Sequence, residues 1–81
     1  MSRLEQYKLC LNIIKDQKEV FSVFDVIKIL NIYFDKISFY SLVGKDLDKY
    51  CSDLGIVNIT KNYMFVLEKC NECFLLWKFD N

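Results

Sequence analysis

The chain has 81 residues, enough for one small domain over residues 1–81 with a single hydrophobic core. Eleven Lys and Arg residues balance eleven Asp and Glu residues, so no overall field attracts nucleic acid or an anionic membrane, and any such contact must be local. Apolar residues make up 53% of the chain and aromatic residues 16%, more than is usual in a soluble domain. This excess predicts exposed apolar surface, and hence a homodimer or a larger protein partner.

Nothing in the sequence predicts membrane insertion or secretion. No stretch approaches the roughly 18 apolar residues of a membrane-spanning helix, and the first residues, MSRLEQYKLC, lack the apolar segment and cleavage site of a signal peptide. We therefore expect a cytoplasmic, reducing location, no membrane contact, and cysteines present as thiols.

The first predicted element is an amphipathic helix over residues 3–16. Its apolar residues recur at intervals of three and four, the period of a helix with one buried face. They are Leu4, Tyr7, Cys10, Leu11 and Ile14. Leu9 and Ile13 lie beside this stripe and widen it, which predicts that the helix faces two neighbours.

A short strand and a second helix follow. The strand is VFS, residues 20–22, and Ser22 with Asp25 resembles the start signal of a helix. This second helix, VFDVIKILN, is short, and the segment IYFDKI is expected to interrupt the chain after it.

A third helix is predicted from a cap at Ser38 to Leu54, with Gly55 as its C-terminal stop. On a helical wheel one stripe is apolar and the opposite face is polar. The apolar stripe contains Phe39, Val43, Leu47, Tyr50 and Leu54. The outward face contains Ser41, Lys45, Asp48, Lys49 and Ser52.

From Ile56 onward the apolar period changes to two, which is typical of strands. IVNIT, a turn at TKN and YMFVLEKC together predict a β-hairpin. After a tight turn at Asn71 and Glu72, CFLLWKF predicts a third strand.

The four cysteines could form a metal site, a redox pair or neither, and the chain has no histidine. A zinc site of four thiolates would need Cys10 and Cys51 beside Cys70 and Cys73, yet the first two lie on core-facing stripes of helices. A redox pair of the thioredoxin type would begin a helix within a βαβ unit, which is not predicted here. We therefore expect two thiols that flank a turn, with no metal and no cofactor.

Three helices followed by strands, in the order helix, strand, helix, helix, strand, wing, strand, resemble the winged helix-turn-helix family. FSVFDVIKILNI is similar to the family's second helix, and SFYSLVGKDLDKYCSDLGIVN is similar to its recognition helix running into the first wing strand. The resemblance covers residues 20 to 67. The segment NIYFDKI is longer and bulkier than the family's usual turn. The implied fold is α+β: a three-helix winged helix-turn-helix with a C-terminal β-hairpin wing and a third β-strand.

The resemblance also implies binding of double-stranded DNA, with the third helix in the major groove and the wing on the backbone or in the minor groove. It assigns a DNA-facing position to Tyr40, Ser41, Lys45 and Lys49 on the helix and to Lys61 and Asn62 at the wing tip. Alternatively, Lys45 with Asp48 and Lys49 with Asp53 are ordinary ion pairs on a solvated helix face.

Two functions without catalysis follow. The first is a DNA-binding transcriptional regulator that acts as a dimer. The second is an accessory subunit that docks on a larger replication or transcription complex through its last strand, which is apolar on both faces; Leu75, Trp77 and Phe79 would form the interface. That strand could instead be covered by the first helix and the chain's own aromatic residues. No histidine, phosphate-binding loop or nucleophile elbow suggests an enzyme or a small-molecule substrate.

Overall fold

The computed structural model of the protein describes residues 1–60 and 75–80, which form a mixed α+β fold. This part of the chain contains three helices and three strands, and the strands form one antiparallel sheet. The elements are α1 (Arg3–Lys15), β1 (Val20–Ser22), α2 (Val23–Phe34), α3 (Tyr40–Leu54), β2 (Ile56–Asn58) and β3 (Leu76–Phe79). The three predicted helices and the strand VFS are therefore confirmed.

Helix α2 begins where its capping signal predicts and ends later than expected. The Ser22 hydroxyl accepts a hydrogen bond from the Asp25 backbone N–H, and the Asp25 carboxylate accepts one from the Ser22 N–H, so a full capping box is present. The helix continues through IYF to Phe34, because those residues include no Gly or Pro to stop it. It ends where Asp35 adopts a left-handed conformation with φ of 47°.

The cap predicted for α3 is wrong, and its stop is confirmed. Phe39, not Ser38, occupies the N-cap position and makes no side-chain hydrogen bond there. At the other end Gly55 has φ of 66°, a conformation that glycine adopts without strain because it has no Cβ atom.

The sheet has the order β1-β3-β2, so the last described strand lies between the other two. Trp77 is paired with Phe21 of β1 on one side and with Asn58 of β2 on the other. Strand β3 begins at Leu76, three residues later than the predicted start at Cys73. The predicted strand over residues 63–70, and the turn with Cys70 and Cys73, lie outside the described residues.

The core lies between the helices and one face of the sheet. Tyr7, Cys10, Leu11 and Ile14 of the predicted α1 stripe are buried in it. The largest completely buried side chains are Trp77 and Phe21, and Phe21 and Phe79 pack with their ring centroids 5.1 Å apart. Helix α3 contributes Val43 and Leu47. Its outer face is thereby directed away from the rest of the molecule.

Candidate nucleic-acid interface

The outward face of α3 is exposed as its sequence pattern predicts. Ser41, Lys45 and Lys49 are all exposed. The opposite side of the helix is fixed by the burial of Val43 and Leu47, whose helical spacing sets the direction in which the lysines project. The structure therefore brings three of the predicted DNA-contacting residues onto one accessible helix face.

Neither lysine makes the ion pair that the alternative interpretation requires. Among the described residues, Lys45 has no carboxylate within ion-pair distance, and Lys49 instead places its Nζ 5.2 Å from the centre of the Tyr50 ring. The Asp48 carboxylate accepts a hydrogen bond from the Asn58 side-chain amide at 3.4 Å. Both ammonium groups are therefore available to an anion, although Asp48 and Asp53 keep the face from being strongly basic.

Tyr40, the first residue of α3, is half-buried and makes two contacts within the protein. Its hydroxyl oxygen accepts a hydrogen bond from the backbone N–H of Leu75. Its ring packs against Phe24 with the centroids 4.9 Å apart. These contacts tie the start of α3 to α2 and to the residue before β3, so Tyr40 is a packing residue. A pattern of exposed positions on a wheel does not reveal this contact, because Leu75 is distant in sequence.

The predicted wing-tip residues, Lys61 and Asn62, lie outside the described residues. Just before them, the Asn58 side-chain oxygen accepts hydrogen bonds from the backbone N–H and the hydroxyl of Thr60, at 2.9 and 2.6 Å. The Thr60 hydroxyl in turn accepts a hydrogen bond from the backbone N–H of Leu76 at 3.1 Å. Residues 58–60 are thus anchored to the start of β3. Asn followed two residues later by Thr is a local turn signal from which this link could have been predicted.

A buried carboxylate lies behind the exposed face of α3. Asp46 is only 5% exposed. It accepts a hydrogen bond of 2.6 Å from the Tyr7 hydroxyl and lies 3.7 Å from the Arg3 guanidinium. Burial, and then the hydrogen bond to Asp46, raise the pKa of Tyr7 well above its ordinary value, so the phenol stays protonated and donates. The sequence alone does not reveal this link, because Asp46 resembles an ordinary surface charge.

The predicted partner interface on the last strand is not available. Trp77 is fully buried and Phe79 is 7% exposed, because the face that carries them packs onto the helices, while Leu75 is half-buried. The strand does alternate, with Lys78 exposed between the two buried aromatic residues. Because Trp77 and Phe79 are buried within the chain itself, the expectation that the Trp77 face meets a second chain is wrong.

The described residues show two further negative findings. Within residues 1–60 and 75–80, no three Cys, Asp or Glu side chains are close enough together to hold a metal ion. No helix in the same part of the chain has the length and apolar character needed to cross a bilayer.

Comparisons of the sequence with protein-family models and with curated proteins, and a comparison with solved structures, gave no match. The resemblance to the winged-helix family therefore stays a prediction from the sequence and from the order of the elements.

Proposed function

We propose that the protein is a non-catalytic winged-helix protein that binds double-stranded DNA through α3 and regulates transcription. The observation that carries this proposal is the exposure of Lys45 and Lys49 on one helix face with no carboxylate partner among the described residues. Lysine in this position can contact phosphate or a guanine edge.

The arrangement of the elements supports the same proposal. Helices α2 and α3 follow one another through a short connection, residues 35–39, and α3 leads directly into a strand of the sheet. This is the order expected of a helix-turn-helix unit with a wing attached. The connection between β2 and β3 includes the predicted wing-tip residues Lys61 and Asn62.

The charge of the α3 face predicts weak binding by one chain. Each neutralised phosphate contributes about 0.9 to the slope of log affinity against log salt concentration. Two lysines therefore give a slope of about 2 per chain, and a dimer that presents two faces gives about 4. The neutral net charge of the chain adds no long-range attraction.

The experiment is to measure binding to nonspecific duplex DNA over a salt series, for the native protein and for the Lys45→Glu/Lys49→Glu variant. Because both side chains are exposed, the variant should keep its fold by circular dichroism. We expect its affinity for DNA to fall at least about 10-fold, with a clear loss of salt dependence.

The matched control is Lys8→Glu/Lys15→Glu, which makes the same change in charge at exposed positions of α1. It should retain a larger share of the native affinity and of the salt slope. Equal losses in the two variants would show only a general effect of charge, and unchanged binding by the α3 variant would refute contact through this helix.

A further inference from the structure

Helices α1 and α2 leave an apolar surface exposed between and beside them. It is formed by Leu9 and Ile13 of α1 and by Ile29, Ile32, Tyr33 and Phe34 of α2, which we call the α1–α2 surface. Ile32 and Tyr33 are each 62% exposed and Leu9 is 42% exposed. Side chains of this kind and in such number are usually buried, so a contiguous group of them indicates a contact with another molecule.

The α1–α2 surface consists of two adjoining grooves with Ile13 and Tyr33 between them. One groove, of about 300 Å³, lies between the helices and reaches Lys28. The other, of about 490 Å³, lies along α1 and reaches Asp16. Ile13 and Tyr33 line both grooves, so they mark the centre of the surface. The two rims carry different charged residues.

The rims carry one unpaired charge of each sign. Lys28 borders the first groove and Asp16 borders the second, and neither makes an ion pair among the described residues. The other two rim charges of the first groove, Lys18 and Asp25, neutralise each other through an ion pair of 2.8 Å. An apolar centre with a polar rim is the usual anatomy of a protein interface.

We propose that a second copy of this chain covers the α1–α2 surface in a symmetric dimer. A two-fold axis near Ile13 and Tyr33 places each groove of one copy against the opposite groove of the other. Asp16 of each copy then faces Lys28 of its partner, so the surface is complementary to itself, as a two-fold interface requires. The zero net charge of the chain removes the repulsion that would otherwise oppose pairing of identical molecules.

The outward lysines of α3 line neither groove, and the existence of the dimer does not depend on whether they contact DNA. It is therefore tested without DNA, by sedimentation equilibrium of the purified protein over a concentration series. We expect the native protein to pass reversibly from monomer to dimer as its concentration rises.

Tyr33→Glu should weaken the dimer at least about 30-fold, because it places a charge at the apolar centre of the interface. Since Tyr33 is largely exposed in the single chain, the variant should remain folded by circular dichroism. Phe39→Glu is the matched control, since Phe39 is 72% exposed but lies outside the α1–α2 surface, and it should leave the dimer unchanged.

Charge reversal tests the two-fold arrangement itself. Asp16→Lys alone and Lys28→Glu alone should each weaken the dimer several-fold, because each sets like charges against one another, and the double variant should recover most of the native affinity. A native monomer at every concentration would overturn the proposal and leave the surface to a protein of different sequence. A dimer that resists Tyr33→Glu, or a double variant no stronger than the single ones, would also overturn it.

Discussion

At the scale of single residues, Cys10 shows how burial controls chemistry in this core. Its side chain is 0% exposed. Burial raises the pKa of the Cys10 thiol from its ordinary value of 9.0 to about 11, because the thiolate loses the solvation it would have in water. The free thiol therefore stays protonated at neutral pH and packs as a small apolar residue.

The raised pKa of Cys10 predicts an alkaline loss of stability. Below pH 9 the thiol is protonated in both the folded and the unfolded chain, and its contribution is fully present. As pH rises from 9 to about 11, the unfolded chain releases the proton first, so the free energy of unfolding should fall by roughly 2 kcal/mol. Urea denaturation at successive pH values measures this fall.

Cys10→Ala should reduce the loss of stability between pH 9 and about 11. It also lowers the stability at neutral pH, because it removes a buried sulfur atom. Cys51→Ala, which removes a half-buried thiol of α3, serves as the control for the loss of a thiol. The pKa of Tyr7 is also raised, and its contribution is lost only above about pH 10, so the interval from pH 9 to 10 reports mainly on Cys10. If the Cys10→Ala variant loses as much stability over that interval as the native protein, the loss does not come from Cys10.

At the scale of elements, two serines that look alike in sequence differ in what they do. Ser22 precedes α2 and accepts a hydrogen bond from the Asp25 N–H, and Asp25 also binds Lys18 at 2.8 Å. Burial alone would raise the pKa of Asp25, but the hydrogen bonds from Lys18 and Ser22 and the charge of Lys18 outweigh it and lower that pKa below its ordinary value. Ser38 precedes α3 without capping it.

Ser22→Ala should therefore lower the free energy of unfolding by about 1 kcal/mol, because it leaves the Asp25 backbone N–H without its acceptor. Ser38→Ala should change it by less than about 0.5 kcal/mol, as is usual for substitutions without a structural role. Parallel urea titrations of the two variants measure the difference. An equal cost in both, or a larger cost at Ser38, would contradict the placement of the caps.

The ends of the helices show how far local sequence decides structure. The start of α2 and the stop of α3 were predictable because Ser22 with Asp25, and Gly55, satisfy backbone groups or backbone angles locally. The end of α2 was not, because its residues permit helix and only Asp35 in a left-handed conformation stops it. The start of α3 depends on packing of Tyr40 against Phe24 and Leu75, which no local pattern contains.

At the scale of the whole molecule, Trp77 joins the sheet to the helices. It is fully buried and paired with residues of both neighbouring strands. Trp77→Ala should lower the free energy of unfolding by about 3 to 5 kcal/mol, through lost burial and an internal cavity. For a domain of this size such a loss is a large share of the total stability. Circular dichroism and urea denaturation measure it.

Lys78→Ala is the control for Trp77→Ala, since Lys78 is the adjacent exposed residue of the same strand. It should change the stability by less than about 0.5 kcal/mol. A folded Trp77→Ala variant of near-native stability would show that the core does not depend on this residue.

The candidate site was predictable in part for the same physical reasons. The outward direction of Lys45 and Lys49 follows from the helical period, which the buried Val43 and Leu47 fix. The inward direction of Trp77 does not follow from the period, since a strand that is apolar on both sides can present either side to the core. The pairing of Trp77 with Phe21 and Asn58 sets which side of the strand faces the core. The sequence of the strand alone does not show this pairing between distant residues.

The central position of β3 also determines how the sheet forms and unfolds. Among the described residues, β1 and β2 each pair only with β3, so the backbone amides bonded across either ladder depend on the same four-residue strand. Loss of β3 would expose both ladders together, and hydrogen exchange in the two outer strands should follow one shared opening event. Phe21 and Trp77 lie far apart in the sequence, so the β1–β3 ladder forms only after a long loop has closed, whereas the helices can form locally. Closure of this sheet is thus the expected slow step in folding of the chain.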